Sequence, residues 1–256
     1  MYAAPLKDLR FVLQQVLDAA ALARTARYAD YPIEVTDEVL NAAARFASEV
    51  LDPINSVGDR EGARLGAAGV TLPAAFHSAY QQFVEDGWPQ LAADPAIGGQ
   101  GAPLALATAV EEIWFGANMA FMLCPMLSRA AIEALQIAGS ESLRAQYLPK
   151  LLRGEWSGTM NLTEPQAGSD LAAIRTRAVP DGDHYRLFGQ KIFITYGEHD
   201  LTDNIVHLVL ARIDGAPAGV KGISLFVVPR FLIGPMASGA QTMCAVLRSS
   251  TSSAFI

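Results

Sequence analysis

Between Leu6 and Arg27, apolar residues recur at Leu9, Val12, Leu13, Val16, Leu17 and Ala20, a stripe at helical spacing that predicts one amphipathic helix. A second helix is expected to start at Thr36 as its cap, with Asp37 and Glu38 favouring the dipole in its first turn, and to run towards Val50 before Pro53. Gly58, Gly62, Gly66 and Gly69 predict a loop or short hairpin over 55–71, after which Pro73 opens a helix through Phe83. The run Ile97-Gly98-Gly99-Gln100-Gly101-Ala102-Pro103 has no strand before it, so it reads as a tight turn into a helix reaching Phe115 and not as a phosphate cradle. A long apolar segment over 119–138 ends at Gly139. Ser140 then caps a helix carrying Leu143, Tyr147 and Leu151 to a stop at Gly154. Residues 1–155 thus read as an α-helical bundle.

Beyond Trp156 the period shortens to extended runs bounded by turn residues: 157–162, 173–179, 184–188 continuing through 195, 205–212 and 223–229. Asp181-Gly182 supplies a hairpin turn. The expected fold class is α+β, a helical bundle at 1–155 followed over 156–235 by an incomplete, antiparallel β-barrel-like domain. No low-complexity linker divides the halves, so they are expected to pack directly, with the groove between them as the natural site.

Composition narrows the function classes. A chain of 256 residues with 51% hydrophobic and 18% charged residues is long and apolar enough for one or two real cores. A formal charge of −7 suits small-molecule binding and weighs against sequence-independent nucleic-acid binding, which needs a basic face. Cys124 and Cys244 have neither metal-ligand spacing nor a disulfide framework, and His184, His199 and His207 share no ligand spacing, so no metal is expected. The mean hydropathy of +0.23 raises the question of membranes, but no uninterrupted apolar run approaches spanning length, and the N-terminus has no secretory pattern. A reducing, cytoplasmic setting is the expectation.

Candidate chemistry concentrates in the hinge stretch Met160-Asn161-Leu162-Thr163-Glu164-Pro165-Gln166-Ala167-Gly168-Ser169-Asp170, which packs hydroxyls, a proline-fixed backbone and a small-residue turn into few positions. Such a turn offers several close-set donors and suits a flat polar ligand. Followed by Gly189-Gln190-Lys191-Ile192-Phe193-Ile194-Thr195, it resembles the flavin-binding signature of the acyl-CoA dehydrogenases. The Gly98-Gly99-Gln100-Gly101 turn and Tyr147-Leu148-Pro149-Lys150 add to the likeness, which covers roughly residues 5–233. Within the family, residues 2–13 and Val57-Gly58-Asp59-Arg60-Glu61-Gly62 are most similar to the branch that includes 3-(methylthio)propanoyl-CoA dehydrogenase.

The resemblance implies FAD as cofactor, an acyl-CoA substrate dehydrogenated across its α and β carbons, an electron-transfer flavoprotein or similar acceptor, and a homo-oligomer in the complete family member. It implies that backbone groups at Met160 and Leu162, with the Thr163 hydroxyl, meet the isoalloxazine edge. Thr195 would supply a second hydroxyl, Phe193 an aromatic neighbour, and Gly168 with Ser169 a turn beside flavin and thioester. On spacing alone Thr163 reads as a capping or turn residue and Phe193 as plain barrel core, and it is the paired motif context that favours the flavin. Gln166 departs from the family's usual glycine. Arg175 and Arg177 read as a solvated strand face, and Glu164 is not the family's base by position.

Family members continue into a second helical domain that carries the catalytic glutamate; none of residues 1–256 is assigned as catalytic, and the chain reads as a truncated fragment of doubtful turnover. Residues 236–256 shift abruptly to serine, threonine and alanine. They are expected to be an aberrant, disordered tail from a reading-frame shift, leaving an unpaired sheet edge. Two other readings stay open, a flavin-binding, nucleic-acid-associated relative of the alkylation-response type and a non-functional fragment. Motif order favours the dehydrogenase, and the acidic balance weighs against the nucleic-acid reading.

Overall fold

The computed structural model describes residues 2–67, 69–232, 245–248 and 253–255, and they group into two compact units. The first comprises 1–62, 72–125 and 148–154, and the second 63–71, 126–147 and 155–256.

In the first unit, α1 (Leu6–Phe11) runs on as a π-turn to Val16, and Asp18 then adopts a left-handed φ of 48° before α2 (Ala19–Ala23). The single helix expected over 6–27 is therefore interrupted. Aspartate tolerates this conformation, and its Oδ1 accepts from the Ala21 N–H at 3.2 Å, capping the new helix. Only Leu9 and Leu13 of the apolar stripe are buried, while Val12, Val16 and Leu17 are exposed. Helix α3 (Ile33–Phe46) starts behind Pro32, so Thr36 lies one turn inside it and is not its cap. Through a π-turn (Ala47–Leu51) it leads to α4 (Asp52–Glu61), where Pro53 sits in the first turn. Residues 55–61, expected as loop, are thus helical, and a Cβ at Gly58 would come within 2.7 Å of the Phe76 ring on α5 (Ala74–Glu85).

Aromatic packing fills this unit's core. The Phe83 ring lies 5.6 Å from Trp114, 6.1 Å from Phe121 and 6.2 Å from both Phe46 and Tyr80, and the Trp114 indole donates to the Ala43 carbonyl at 3.0 Å. Trp114 and Phe121 lie on α6 (Leu104–Ala138), which breaks at Asn118 (φ −156°, ψ 88°) and resumes. The Asn118 side chain repairs the break: its Oδ1 accepts from Phe121 N–H at 3.0 Å and its Nδ2 donates to the Leu51 carbonyl at 3.1 Å. Helix α6 is long and apolar enough to cross a membrane by length and composition alone, a test that a buried core helix also passes, and it reaches that length by continuing past Asn118 and Pro125. Helix α7 (Glu141–Leu152) has the expected cap, with Leu143 N–H on Ser140 Oγ at 3.2 Å.

The second unit opens with the hairpin β1 (Arg64–Gly66) and β2 (Gly69–Thr71). Its main sheet contains β3 (Trp156–Asn161), β4 (Arg177–Asp181), β5 (His184–Phe188), β7 (Asn204–Ile213) and β8 (Ile223–Pro229), while β6 (Gln190–Ile192) lies outside it. The path β3-β7-β4-β5, with β8 on β7, is an open sheet and no closed barrel. Pairs β4/β5 and β7/β8 are antiparallel as expected, whereas β3 and β4 each run parallel to β7. Side-chain alternation sets the buried face of a strand but carries no information on the direction of its neighbour.

The extended run expected over 184–195 is broken at Gly189, where a Cβ would strike Thr176. The run expected over 173–179 starts as a 3-10 turn (Leu171–Ala173) and becomes a strand only at Arg177. In the tail, β9 (Ala245–Arg248) and β10 (Ser253–Phe255) pair with each other, and β10 pairs antiparallel with β6. This small sheet is separate from the main one and adds no strand to it. The remainder of 236–256, with Cys244, lies outside the described residues.

Candidate functional site

Strand β3 separates two environments. Ser157, Thr159 and Asn161 are fully buried on one face. Gly158 and Met160 alternate to the other, where a Cβ at Gly158 would lie 2.4 Å from that of Ala131. On the polar face, Ser157 Oγ meets His199 Nε2 at 2.9 Å, and Thr159 Oγ1 donates to Asn161 Oδ1 at 2.7 Å. With its proton committed there, Thr159 accepts from His207 Nδ1 at 2.7 Å. Burial, aided by the Arg230 charge, lowers the His207 pKa from 6.5 to about 4, so the imidazole is neutral. These histidines pack, while His184 is exposed beside Asp181 and Asp183.

At the end of β3 the chain turns. Glu164 and Ala167 exchange both backbone hydrogen bonds, 2.8 and 3.0 Å, around Pro165 and Gln166. The Glu164 side chain folds inward and is saturated. Its Oε1 accepts from Lys191 Nζ at 2.8 Å, Thr176 Oγ1 at 2.6 Å and Thr176 N–H at 3.1 Å; Oε2 accepts from Gln166 Nε2 at 2.6 Å and Arg175 N–H at 2.7 Å. Burial raises its pKa, but the bonds from Lys191, Thr176 and Arg175 outweigh it and hold the carboxyl at about 2. A buried carboxylate so weakly basic is a poor proton acceptor. Gln166, the departure from the family glycine, ties this carboxylate to the Ala173 carbonyl at 3.2 Å.

The rim above this pair is open. Thr163 and Leu162 are half-buried, and Gly168, Ser169, Phe193 and Thr195 are exposed. The Thr163 carbonyl accepts from Ile192 N–H at 2.9 Å, which brings the 162–163 stretch beside the start of 192–195. Gly168 is near Thr163 as well, since its ideal Cβ position lies 4.0 Å from the threonine methyl. No bond ties Ser169 or Thr195 to this group among the described residues. The hydroxyls of Thr163, Ser169 and Thr195 have no protein partner among the described residues.

Phe193 overturns the barrel-core reading: it is 68% exposed, at a left-handed φ of 58°. A bulky residue there costs on the order of 1–3 kcal/mol, and such strain clusters at ligand-clamping sites. An exposed aromatic two residues before the Thr195 hydroxyl, on a segment bonded to Thr163, is compatible with a planar, hydrogen-bonding ring. Arg177 is exposed and pairs with Asp214 at 3.5 Å, as a solvated face requires. Among the described residues no group of three or more His, Cys, Asp or Glu could hold a metal.

What sequence reasoning missed is Lys191 with Thr176. The available signal was a lone lysine in the apolar run Lys191-Ile192-Phe193-Ile194 and a lone glutamate in a tight turn, two opposite charges set where solvation is poor.

Residues 34–155 match the acyl-CoA dehydrogenase N-terminal domain and residues 159–243 the acyl-CoA dehydrogenase middle domain. The chain belongs to the acyl-CoA dehydrogenase family. It is 47% identical over 234 residues to the 3-methylmercaptopropionyl-CoA dehydrogenase of Ruegeria pomeroyi, covering 91% of this chain and 40% of that protein. To a butyryl-CoA dehydrogenase of Syntrophomonas wolfei it is 34% identical, covering 91% of this chain and 39% of that protein. The crystal structure of an acyl-CoA dehydrogenase from Geobacillus kaustophilus superposes with a TM-score of 0.66 at 27% identity, covering 88% of this chain and 56% of that one. The chain therefore spans about 40% of the length of these curated relatives.

Proposed function

We propose that this chain carries the flavin-holding part of an FAD-dependent acyl-CoA dehydrogenase, with the helical domain at 1–155 and the flavin-binding β domain at 156–235. The observation that carries the reading is the exposed, strained Phe193, whose chain neighbour Ile192 is bonded to Thr163 beside the saturated ion pair of Lys191 and Glu164. FAD, when bound, supplies a hydride acceptor for the substrate's β carbon. The chain's own residues bind and orient. Thr163 offers its N–H and Oγ1 as donors to the ring edge, where such donors favour negative charge arriving on reduction. Phe193 gives the ring an apolar neighbour, Thr195 a second hydroxyl, and Met160 and Leu162 backbone groups. Gly168 and Ser169 leave room for close approach.

By the relatives' names the substrate class is a short acyl-CoA thioester, with 3-(methylthio)propanoyl-CoA the first to try. An electron-transfer flavoprotein as acceptor, a cytoplasmic setting and a homo-oligomeric complete protein belong to the same reading. No residue of 1–256 is offered as the α-proton base, so dehydrogenation by this chain alone is expected to be absent with an artificial electron acceptor. The deciding measurement is titration of the purified chain with FAD, followed by flavin absorbance and fluorescence. A saturable, perturbed flavin spectrum supports the reading. A free-flavin spectrum throughout removes it.

A further inference from the structure

The side chains of Lys191 and Glu164 are 0% and 3% exposed and form an ion pair at 2.8 Å that reaches the rim through the backbone. Lys191 Nζ also donates to the Leu162 carbonyl at 2.9 Å, and the next carbonyl, that of Thr163, accepts from Ile192 N–H at 2.9 Å. The peptides on both sides of Thr163 are thereby pinned to consecutive residues of β6. The Leu162–Thr163 peptide bond is trans, so with the Leu162 carbonyl aimed at Lys191 the Thr163 N–H points the opposite way, away from the ion pair. Five bonds hold Glu164 in turn, two from backbone amides and one each from Thr176 Oγ1, Gln166 and Lys191.

A buried ion pair is weak evidence for stability, because a well-packed apolar pair of similar volume is often as stable. This one is joined to the two peptides that present Thr163. We infer that Glu164 and Lys191 are positioning residues: the pair fixes the orientation of the Thr163 peptide and so sets how tightly, and in what electronic environment, the chain holds a flavin ring. The inference rests on the flavin reading above. It adds residues that touch no ligand and act through Leu162 and Thr163. It also accounts for Gln166, whose amide keeps Glu164 in place where a glycine could not.

The test uses the full 256-residue chain and FAD itself. Lys191→Met leaves Glu164 buried without its cation. FAD affinity at pH 7.5 is expected to fall by about tenfold or more, the scale on which buried partners are lost. The bound flavin's absorbance envelope should shift towards that of free flavin. Part of the affinity should return as pH is lowered to about 5, because an unpaired buried carboxyl takes up a proton in a range where the paired one does not. The double variant Glu164→Gln/Lys191→Met, with no buried charge left, should bind better than Lys191→Met alone and lose the pH dependence.

Val206→Ala, a buried position in β7, is the control for mere loss of stability and should lower the melting temperature with the flavin spectrum unchanged. If Lys191→Met does not fold, Thr176→Val removes one bond to Glu164 while keeping the ion pair, and should weaken FAD binding by roughly threefold to tenfold. Wild-type chain that binds no FAD ends the flavin reading, and this inference with it. Wild-type binding with unchanged affinity, spectrum and pH profile in folded Lys191→Met or Thr176→Val overturns the positioning role alone, as does an equal loss in Val206→Ala.

Discussion

Two buried polar clusters sit within a few residues of each other along β3 and its following turn, and they are built on opposite principles. The cluster beneath the turn is ionised, with Glu164 and Lys191 paired and every oxygen of the carboxylate engaged. The cluster on the strand is neutral, made from Thr159, Asn161 and His207, and it leaves Asn161 Nδ2 and His207 Nε2 without a partner among the described residues. Charge appears where backbone must be held in one orientation, since an ion pair tolerates little movement. Neutral hydroxyl, amide and imidazole groups suffice where a strand face only needs filling, and there two polar atoms go unmatched. The difference predicts which cluster fails harder when cut.

The largest effect is expected from removing one member of the ion pair. Lys191→Ala or Glu164→Ala leaves a buried, uncompensated charge and should cost about 3–5 kcal/mol in urea unfolding. Thr159→Val should cost less, about 1–3 kcal/mol, because only neutral hydrogen-bonding groups are stranded. Equal losses would show that the ionised cluster has no special hold on the fold.

Acid separates the clusters further. His207 has a folded pKa depressed from 6.5 to about 4, so between those values the unfolded chain binds the extra proton. Its contribution is complete above about pH 6.5 and is lost as pH falls towards 4. Glu164 is depressed from 4.5 to about 2, so its contribution persists to lower pH and is lost only between those values. Stability against pH should therefore decline in two limbs. His207→Gln should abolish the upper limb and spare the lower one, and Glu164→Gln the reverse. A single limb surviving both substitutions would mean that other groups govern acid unfolding.

The ease of reading these regions from sequence differs for a physical reason. The helices of 1–155 were visible because period and capping are local: Ser140 caps α7, Pro73 opens α5, and Gly98, at φ 94°, turns the chain before α6. Their interruptions were not visible, because Asp18 and Asn118 break helices with backbone geometry that their own side chains stabilise, while Pro53 and Pro125 fail to break them. The rim residues came from motif resemblance, which names positions but not the forces that hold them. Lys191 and Glu164 are 27 residues apart, and the parallel pairing of β3 with β7 joins residues 48 apart, as at Thr159 and His207. Local pattern is silent about such partners, and only the folded chain puts them together.

Removing the two rim hydroxyls should have a smaller effect. Thr163→Val and Thr195→Val nearly preserve shape and should each weaken FAD retention by about 1 kcal/mol, the worth of one neutral hydrogen bond, or shift the flavin's reduction potential. Both hydroxyls lack partners within the chain among the described residues, so folding stability should hardly change. Unfolding midpoints that fall as far as for Thr159→Val would place these threonines in the fold and take them out of the site.

Gly168→Ala should have the smallest effect on the fold and is the most pointed test of the rim. The φ of Gly168 lies outside the left-handed region, and an added methyl would meet only the Thr163 methyl, at 4.0 Å, an ordinary contact. The chain's own atoms therefore give no reason for glycine here; alanine should even gain a few tenths of a kcal/mol by restricting the unfolded chain. If a flat ligand packs against this turn, the same methyl projects into it, and FAD affinity should drop several-fold while the unfolding midpoint holds or rises. That opposite movement of stability and binding is the signature of a surface shaped for something outside the chain. Unchanged affinity with a raised midpoint would show that the turn is ordinary, and that Gly168 is not part of the flavin site.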